Sequence, residues 1–221
     1  MFDTYFEIEA KMEGYTVHTI ERKDAKPWIM KKHYAKRMPS ISHSFGLFKN
    51  SVLQGVCTFG LPASPFLCKG ICGEQYRNLV IEFNRLCLDK NIKNEGSFFL
   101  SRAIKQINGP RILVSYADTR QGHIGYVYQA TNWTYTGITK KMFDKKIQGK
   151  HGRHNNVYEN PDIDYEIVER SQKHRYIYFI GSKKQKKEML KALKYPILPY
   201  PKGESKRYDT SAEFPKQVQM F

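Results

Sequence analysis

The residues best suited to chemistry are polar side chains that end or interrupt apolar runs predicted to be strands. The run RILVSYAD, residues 111–118, ends in Tyr116 and Asp118, and His123 follows after a short polar segment. Ligands gather at the carboxyl ends of parallel strands in α/β sheets. This position is therefore a candidate site, with Asp118 as a general base and His123 as its partner. A structural cap of the next turn is an equally good interpretation of Asp118.

A second candidate is the polar loop at residues 91–97, NIKNEGS, between a predicted strand and a predicted helix. Backbone amides in such a loop point at one place, and the helix dipole favours an anion there. A pyrophosphate would fit, with Gly96 allowing close approach and Lys93 or Arg102 adding positive charge. The alternative is that the glycine only turns the chain, because many strand-to-helix loops contain one.

Arg85 lies inside the otherwise apolar run LVIEFNRLCL, beside Glu82 and Asn84. A charged side chain in a central strand is costly unless it is paired. Arg85 therefore either bridges an internal carboxylate or faces the anion of a cofactor or substrate. A lone histidine such as His33, on a predicted helix, is more often packed or exposed than a ligand.

The charge balance favours a polyanionic partner. The 221 residues contain 37 Lys and Arg against 21 Asp and Glu, a formal charge of +16, together with 15 Tyr and 13 Phe. Basic residues and aromatics cluster in WIMKKHYAKR, KKMFDKKIQGKHGRH and KHRYIYFIGSKKQKKEMLKALK. Cations bind phosphates and aromatics stack on a base exposed from a duplex. A charge run on one helix face is usually only solvated, but three such runs in a short chain favour a nucleic acid as the partner. The predicted DNA contacts are Arg175, Lys183, Lys184, Lys186 and Lys187.

The cellular compartment is predicted to be a reducing one, the cytoplasm. The first residues lack a basic start and an apolar run, and no apolar stretch approaches the roughly 20 residues that cross a bilayer, so no membrane partner is expected. The four cysteines are therefore predicted to be free thiols. One C-x3-C pair, Cys68 and Cys72, is too few for a usual structural zinc site.

The periodicity places these residues on alternating strands and helices. Strands are predicted at 15–20, 79–88, 111–118, 134–138 and 175–181, and a hairpin at 44–60. Helices are predicted from Pro27 to about Arg37 with Asp24 as cap, at 97–107, at 123–133, and from Ser182 onward. Residues 62–77 read as an irregular loop. Strand, loop, helix and strand form a βαβ unit with parallel strands, so the class is α/β (α+β), a mixed central sheet flanked by helices.

One domain is expected over residues 1–221, because the length suits a single α/β core. Residues 140–165 are rich in Lys, His, Asn and Gly and predict an irregular or mobile insertion. Residues 210–221 are predicted to form a C-terminal tail.

Several segments resemble the Mom-like phage DNA-modification proteins. They are SHSFGLFKNSVLQGVCTFGLPASPFLCKGICG, EFNRLCL, SYADTRQGHIGYVYQATNWTYTG and the stretch from KHRYIYFIG to KRYD, together most of residues 33–209. The SYAD to NWTYTG block is the most specific. The resemblance implies a GNAT acetyltransferase-like fold and a carbamoylmethyl (acetamido) group placed on the exocyclic amine of adenine, which protects phage DNA from restriction. It also implies that the protein acts in the cytoplasm of a bacterial host cell.

The resemblance also implies a cofactor and site residues. Acetyl-CoA would lie with its pyrophosphate on Asn94, Gly96 and Ser97, and with its acyl end along Ser115, Tyr116 and Asp118. The GNAT loop usually has two glycines, whereas only Gly96 is present here. Tyr128 matches the position of a tyrosine near the thioester and is the candidate general acid, and the family motifs also indicate His33, Arg85, Ser97 and Asp118.

The implied mechanism has basic arms holding duplex DNA while an adenine is flipped toward the end of the 111–118 strand. Asp118 orients or deprotonates the amine, Tyr128 protonates a leaving group, and Arg85 supports the pocket electrostatically. A bond to the acetyl methyl carbon is unlike acyl transfer, so iron held by some of His33, Asp118, His123 and tyrosines is a further hypothesis. Two other functions stay open: acetyl transfer to a protein or small molecule, and DNA binding without catalysis.

Overall fold

A seven-stranded mixed sheet organises the structure, a computed structural model that describes residues 12–90, 92–146 and 165–203. The described residues form nine strands in two sheets. The strands are β1 (Tyr15–Thr19), β2 (His43–Lys49), β3 (Val52–Gly60), β4 (Val80–Leu88), β5 (Arg111–Asp118), β6 (Thr134–Ile138), β7 (Met142–Lys146), β8 (Glu166–Arg170) and β9 (Lys173–Ile180). The large sheet has the order β1-β2-β3-β4-β5-β9-β6, while β7 and β8 pair separately. Only β4 and β5 are parallel neighbours within the described ranges, as the βαβ prediction requires.

Helices cover both faces of the sheet, which confirms the predicted class. They are α1 (Arg22–Lys31), α2 (Pro65–Cys72), α3 (Glu95–Lys105), α4 (Tyr126–Ala130) and α5 (Lys183–Lys191). Helices α3 and α4 pack with Phe83, Leu113 and Tyr176 on one face. Helices α1, α2 and α5 cover the other, where the core includes Val56 and Val114. In the part of the chain that the structure describes, no helix is long and apolar enough to span a membrane.

Two helix predictions need correction. Helix α1 begins at Arg22, because Glu21 and Asp24 form a reciprocal capping box at its start. The helix ends at Lys31, and Pro27 lies inside it. The predicted loop at 62–77 instead contains α2 and a 3-10 turn at Glu74–Leu79. Pro65 at the first helical position is compatible with a helix start, and Ile71 and Cys72 are buried against the sheet.

The predicted insertion at 140–165 is partly regular. Residues Met142–Lys146 form β7, which pairs with β8, so this part of the prediction is wrong. Tertiary pairing with a distant strand is not visible in a local pattern that is rich in lysine. Residues 147–164 and the predicted tail at 210–221 lie outside the described residues.

The strands β4 and β5 diverge, and this divergence creates the main cleft. They pair only through Val80–Glu82 and Ile112–Val114. A bulge in the β3–β4 pairing between Thr58 and Phe59 leaves Asn84 out of register, and bulges bend a strand and increase its twist. Beyond Glu82 each strand continues to its carboxyl end without the other as a partner, so their backbones border an opening.

Candidate active site

The cleft between β4 and β5 has a volume of about 470 Å³ and brings most of the predicted site residues together. Its lining includes His33, Arg85, Asn94, Gly96, Ser97, Tyr116, Asp118 and Tyr128. Ser115 is buried behind this lining, where it contacts Tyr128. Residues from distant parts of the chain thus converge on the opening that the diverging strands create.

The segment after α1 reaches this cleft because β3 ends in a glycine. A Cβ on Gly60 would lie 1.9 Å from the Ser40 carbonyl oxygen, so only glycine allows this approach. Asn84 Nδ2 donates to the same Ser40 oxygen at 2.8 Å. These contacts fix the segment that carries His33 beside β4.

Asp118 is the N-cap of the 3-10 turn Thr119–Gln121. Its Oδ1 accepts from the Arg120 amide at 3.0 Å and from the Ser171 hydroxyl, and Lys173 Nζ lies 3.6 Å from Oδ2. The side chain is nearly buried, at 7% exposure, yet it lines the cleft. The cap interpretation therefore holds, and Asp118 also faces the site.

Tyr128 belongs to a short hydrogen-bond chain. Ser115 Oγ lies 2.8 Å from Tyr128 Oη and 2.8 Å from the Phe83 carbonyl oxygen. A serine hydroxyl has one proton and a carbonyl oxygen only accepts, so Ser115 donates to Phe83 while Tyr128 donates to Ser115. Burial raises the pKa of the Tyr128 phenol well above its usual range, and the bond to Ser115 opposes that shift. Tyr128 is therefore protonated at neutral pH.

His33 is a neutral imidazole with an assigned tautomer. Its Nδ1 accepts a hydrogen bond from the Ala35 amide at 3.1 Å, which leaves the proton on Nε2. Burial lowers the pKa of His33 to about 3, and the positive charge of Arg85 contributes to the shift. The ring stacks on Tyr34 with centroids 4.4 Å apart. His33 can therefore donate a hydrogen bond from Nε2, but at neutral pH it has no imidazolium proton to transfer.

Arg85 does not form the internal carboxylate bridge that was one of its two interpretations. Its guanidinium donates to the carbonyl oxygens of Asn84 at 2.6 Å and Arg37 at 3.1 Å, and it makes no ion pair within the described residues. Its Nε is buried without a hydrogen-bond partner there. Burial lowers the pKa of this guanidinium. These features leave Arg85 available to an anion or a carbonyl oxygen in the cleft.

The first turn of α3 closes one end of the cleft. Asn94 precedes the helix in a left-handed conformation, and Ser97 Oγ donates to the Asn94 carbonyl oxygen at 3.0 Å. The amides of Gly96 and Ser97 belong to the turn where N–H groups lack intrahelical acceptors. A Cβ on Gly96 would meet Leu88 at 3.5 Å, an ordinary contact, so the fold itself does not demand a glycine at this position.

The predicted DNA contacts lie outside the cleft. Lys183, Lys184, Lys186 and Lys187 belong to α5, which begins with the predicted Ser182 cap, and all four are exposed. Arg175 has a different environment: its guanidinium donates to Thr136 and lies 3.4 Å from the centroid of the Tyr195 ring. Arg175 therefore stabilises the fold through these contacts, whereas its predicted role as a DNA contact stays a prediction.

Three further cleft residues were not predicted as site residues. Glu82 lies on β4, Lys173 begins β9, and Tyr34 follows His33. Glu82 had the same signal as Arg85, a charge inside an apolar strand. Lys173 and Tyr34 had none, because their approach to the cleft depends on strand pairing and on the segment after α1.

The iron hypothesis finds no support in this arrangement. Among the described residues, no three His, Cys, Asp or Glu side chains lie close enough together to hold a metal ion. All four cysteines are free thiols, and Cys57, Cys72 and Cys87 are buried.

Comparison with known proteins identifies the family. Methylcarbamoylase mom of Escherichia phage Mu is 29% identical over 218 residues, covering 89% of each chain. Among solved structures, yncA of Salmonella typhimurium with acetyl-CoA is 14% identical with a TM-score of 0.45, covering 76% of this chain and 95% of that one. A GNAT-family acetyltransferase from Bacillus cereus is 9% identical with a TM-score of 0.43, covering 76% and 99%. The model of the Mom protein family matches residues 14–202, and the chain therefore belongs to the Mom protein family.

Proposed function

We propose that this protein is a DNA-modifying transferase that places a carbamoylmethyl (acetamido) group on the exocyclic amine of adenine and so protects phage DNA from restriction. The observation that carries the proposal is the cleft in which His33, Arg85, Asp118 and Tyr128 meet the first turn of α3. Family membership supports it, since the phage Mu relative is a methylcarbamoylase.

Acetyl-CoA is the proposed carbon donor, and the cleft fits it in three respects. The diverging strand edges offer backbone groups to an extended chain, the Gly96 and Ser97 amides lie at one end, and Lys93 lines the same cleft. Amides at a helix N-terminus and nearby cations favour a pyrophosphate. When bound, acetyl-CoA supplies two carbons as an activated acyl group.

The chemical balance of the reaction requires two further reactants. Replacing one amine hydrogen of adenine by CH2–CO–NH2 forms a bond from nitrogen to the former methyl carbon and releases the coenzyme thiol. The amide nitrogen comes from an ammonia-equivalent donor. Two electrons must pass to a two-electron oxidant and two protons must be released, because a C–H bond of the methyl group becomes a C–N bond.

Tyr128 is proposed as the general acid, with Ser115 as its support. The phenol is protonated and faces the cleft, so it can give its proton to a leaving group. Rotation of the Ser115 hydroxyl toward the resulting phenolate would then stabilise the negative charge over the same 2.8 Å contact. Asp118, fixed by its cap contacts, is proposed to orient the adenine amine.

His33 and Arg85 are proposed to stabilise negative charge that develops in the cleft. The Nε2–H of His33 is a neutral donor whose orientation is fixed by the Ala35 amide. Arg85 adds a positive charge that forms no direct ion pair with a carboxylate among the described residues, although Glu82 is near enough to interact with it electrostatically. Donors held in place inside a cleft act more strongly on developing charge than the same groups in water.

The exposed lysines of α5 are proposed to hold duplex DNA by its phosphates while the adenine is flipped into the cleft. The formal charge of +16 supports this partner.

Mass spectrometry of nucleosides tests the function. DNA from cells that express the intact protein should contain an adenosine derivative heavier by one carbamoylmethyl group, and DNA from cells with Asp118→Ala should lack it. The variant must remain folded and bind DNA normally, which circular dichroism and a mobility-shift assay check. Unmodified DNA beside an acetylated protein or small molecule would indicate a conventional acetyltransferase, and unmodified DNA alone a binding protein.

A further inference from the structure

Glu82 stands where the cleft opens. It forms the last residue pair of the β4–β5 ladder, opposite Val114, and it pairs with Gly60 on its other side. Beyond this pair the two strands separate, so the Glu82 side chain lies at the apex of the opening and lines the cleft. Alternation along β5 puts Tyr116 and Asp118 on the same face of the sheet as Val114, which packs with Val80 of β4. Glu82 shares that face, since it follows Val80 by two residues.

The Glu82 carboxylate interacts electrostatically with nearby cations but accepts no hydrogen bond within the described residues. It also forms no ion pair among them, although Arg85, Lys173 and Arg37 are near enough to act on its charge. Burial raises the pKa of Glu82, and these three cations oppose the shift. The remaining ionisable groups that feel its charge are Tyr34, Cys68, Tyr116 and Tyr128.

The Asp118 carboxylate differs from that of Glu82 because it accepts hydrogen bonds from the protein. Donors from Arg120 and Ser171 engage Oδ1, and the Lys173 ammonium approaches Oδ2. A proton taken from a substrate would neutralise the negative charge that these contacts stabilise. Two carboxyl groups in one cleft, one bonded and one not, are suited to different tasks.

We propose that Glu82 is the base that accepts the proton of the substrate amine, while Asp118 orients the amine and holds the wall of the cleft. As the amine nitrogen uses its lone pair to bond to the former methyl carbon, a C–H bond of that methyl group breaks and its electron pair passes to the two-electron oxidant that the proposed reaction requires. At the nitrogen, one N–H bond breaks and its electron pair stays on nitrogen. The proton passes to a Glu82 carboxylate oxygen, which becomes a neutral carboxyl group and later releases the proton to water. The assignment rests on the proposed function for the identity of the amine.

The test compares Glu82→Gln with the intact protein and with Glu74→Gln, an exposed glutamate outside the cleft. In cells that express each protein, Glu82→Gln should lower the modified adenosine by about 100-fold or more, the usual contribution of a general base. Glu74→Gln should leave it unchanged. Affinity of purified Glu82→Gln for duplex DNA and for acetyl-CoA, measured by calorimetry, should stay within about twofold, since this role concerns a proton rather than binding.

A second readout does not need turnover. Infrared titration of the purified proteins should show a carboxyl band that titrates above the usual glutamate range in the intact protein and is missing in Glu82→Gln. Should Glu82→Gln fail to accumulate, Glu82→Met, of similar volume, takes its place in both measurements. A folded variant without this carboxylate that modifies DNA at the wild-type level overturns the assignment. If the intact protein itself leaves adenine unmodified, the proposed function fails, while the infrared band still reports on Glu82.

Discussion

The Ser171 hydroxyl donates a hydrogen bond to Asp118, across 53 residues of sequence. Ser171 lies between β8 and β9, and Asp118 ends β5. The adjoining backbone reinforces the link, because Thr119 N–H donates to the Gln172 carbonyl oxygen at 3.1 Å. These two hydrogen bonds hold the connection between β8 and β9 against the carboxyl end of β5, the strand that borders the cleft.

Removing either partner of this hydrogen bond should destabilise the protein. Asp118→Ala should lower the free energy of unfolding by about 1–2 kcal/mol, because it removes the cap of the following turn as well. Ser171→Ala should cost about 1 kcal/mol. Urea unfolding of both single variants and the double variant should give a coupling energy of at least about 0.5 kcal/mol. Strictly additive effects would show that the two side chains do not stabilise each other.

The stability of the protein should fall with acid through His33. Its pKa is lowered from 6.5, the value expected in the unfolded chain, to about 3 in the folded one. The resulting stability is fully present above pH 6.5 and is lost as the pH falls toward 3, by up to about 1.4 kcal/mol per pH unit. Urea unfolding at pH 6.5 and 4.5 should show a smaller difference for His33→Gln than for the wild type. Equal differences would contradict a buried neutral imidazole.

Glu82→Gln should raise the melting temperature at pH 7. Burial raises the pKa of this carboxyl, so its ionised form is less favourable in the folded protein than in the unfolded chain. The neutral amide removes this cost above the folded pKa. The gain should shrink as the pH falls below that value, where the wild-type carboxyl is also neutral. Calorimetric scans at pH 7 and 4 provide the measurement, and a gain that grows with acid would refute the direction of the shift.

Gly125 and Gly96 both border the cleft but should respond differently to alanine. At Gly125, φ is +79° and a Cβ would lie 2.4 Å from the Tyr176 ring, so Gly125→Ala should cost roughly 2–5 kcal/mol. At Gly96 a Cβ makes ordinary contacts, so Gly96→Ala should stay within roughly 1 kcal/mol of the wild type. Its methyl group enters the cleft, so acetyl-CoA should bind more weakly. Denaturant unfolding and calorimetry separate the two effects.

Neutralising the exposed face of α5 should weaken DNA binding without affecting the cleft. The variant replaces Lys183, Lys184, Lys186 and Lys187 with Gln. Each lysine–phosphate ion pair that the substitutions remove should reduce the slope of log K against log salt by about 0.9. A matched control replaces four exposed lysines elsewhere, namely Lys23, Lys26, Lys49 and Lys105. Fluorescence anisotropy across a salt series gives the slopes, and equal slopes for both variants would assign the effect to net charge alone.

The local sequence was enough to predict the strands and helices whose apolar residues recur with a clear strand or helix spacing. The strand at 111–118 has the predicted bounds, and the parallel βαβ unit and the Ser182 cap are confirmed. Predictions were wrong where tertiary packing decides, as at α2, whose eight residues include Gly70 and two cysteines and become helical against the sheet. The same limit applied to β7, which exists through its pairing with β8.

Residue types and their order were sufficient to show which side chains could do chemistry, because an isolated charge in an apolar strand is visible without coordinates. Arg85 and Glu82 are both marked in this way. Their roles depend on packing, since a hydrogen bond to Asp118 comes from Ser171, far along the chain, while none within the described residues reaches Glu82. Residue type fixes what a group can donate or accept, but the partners that three-dimensional packing brings to it determine whether that capacity is used by the fold or left for a substrate.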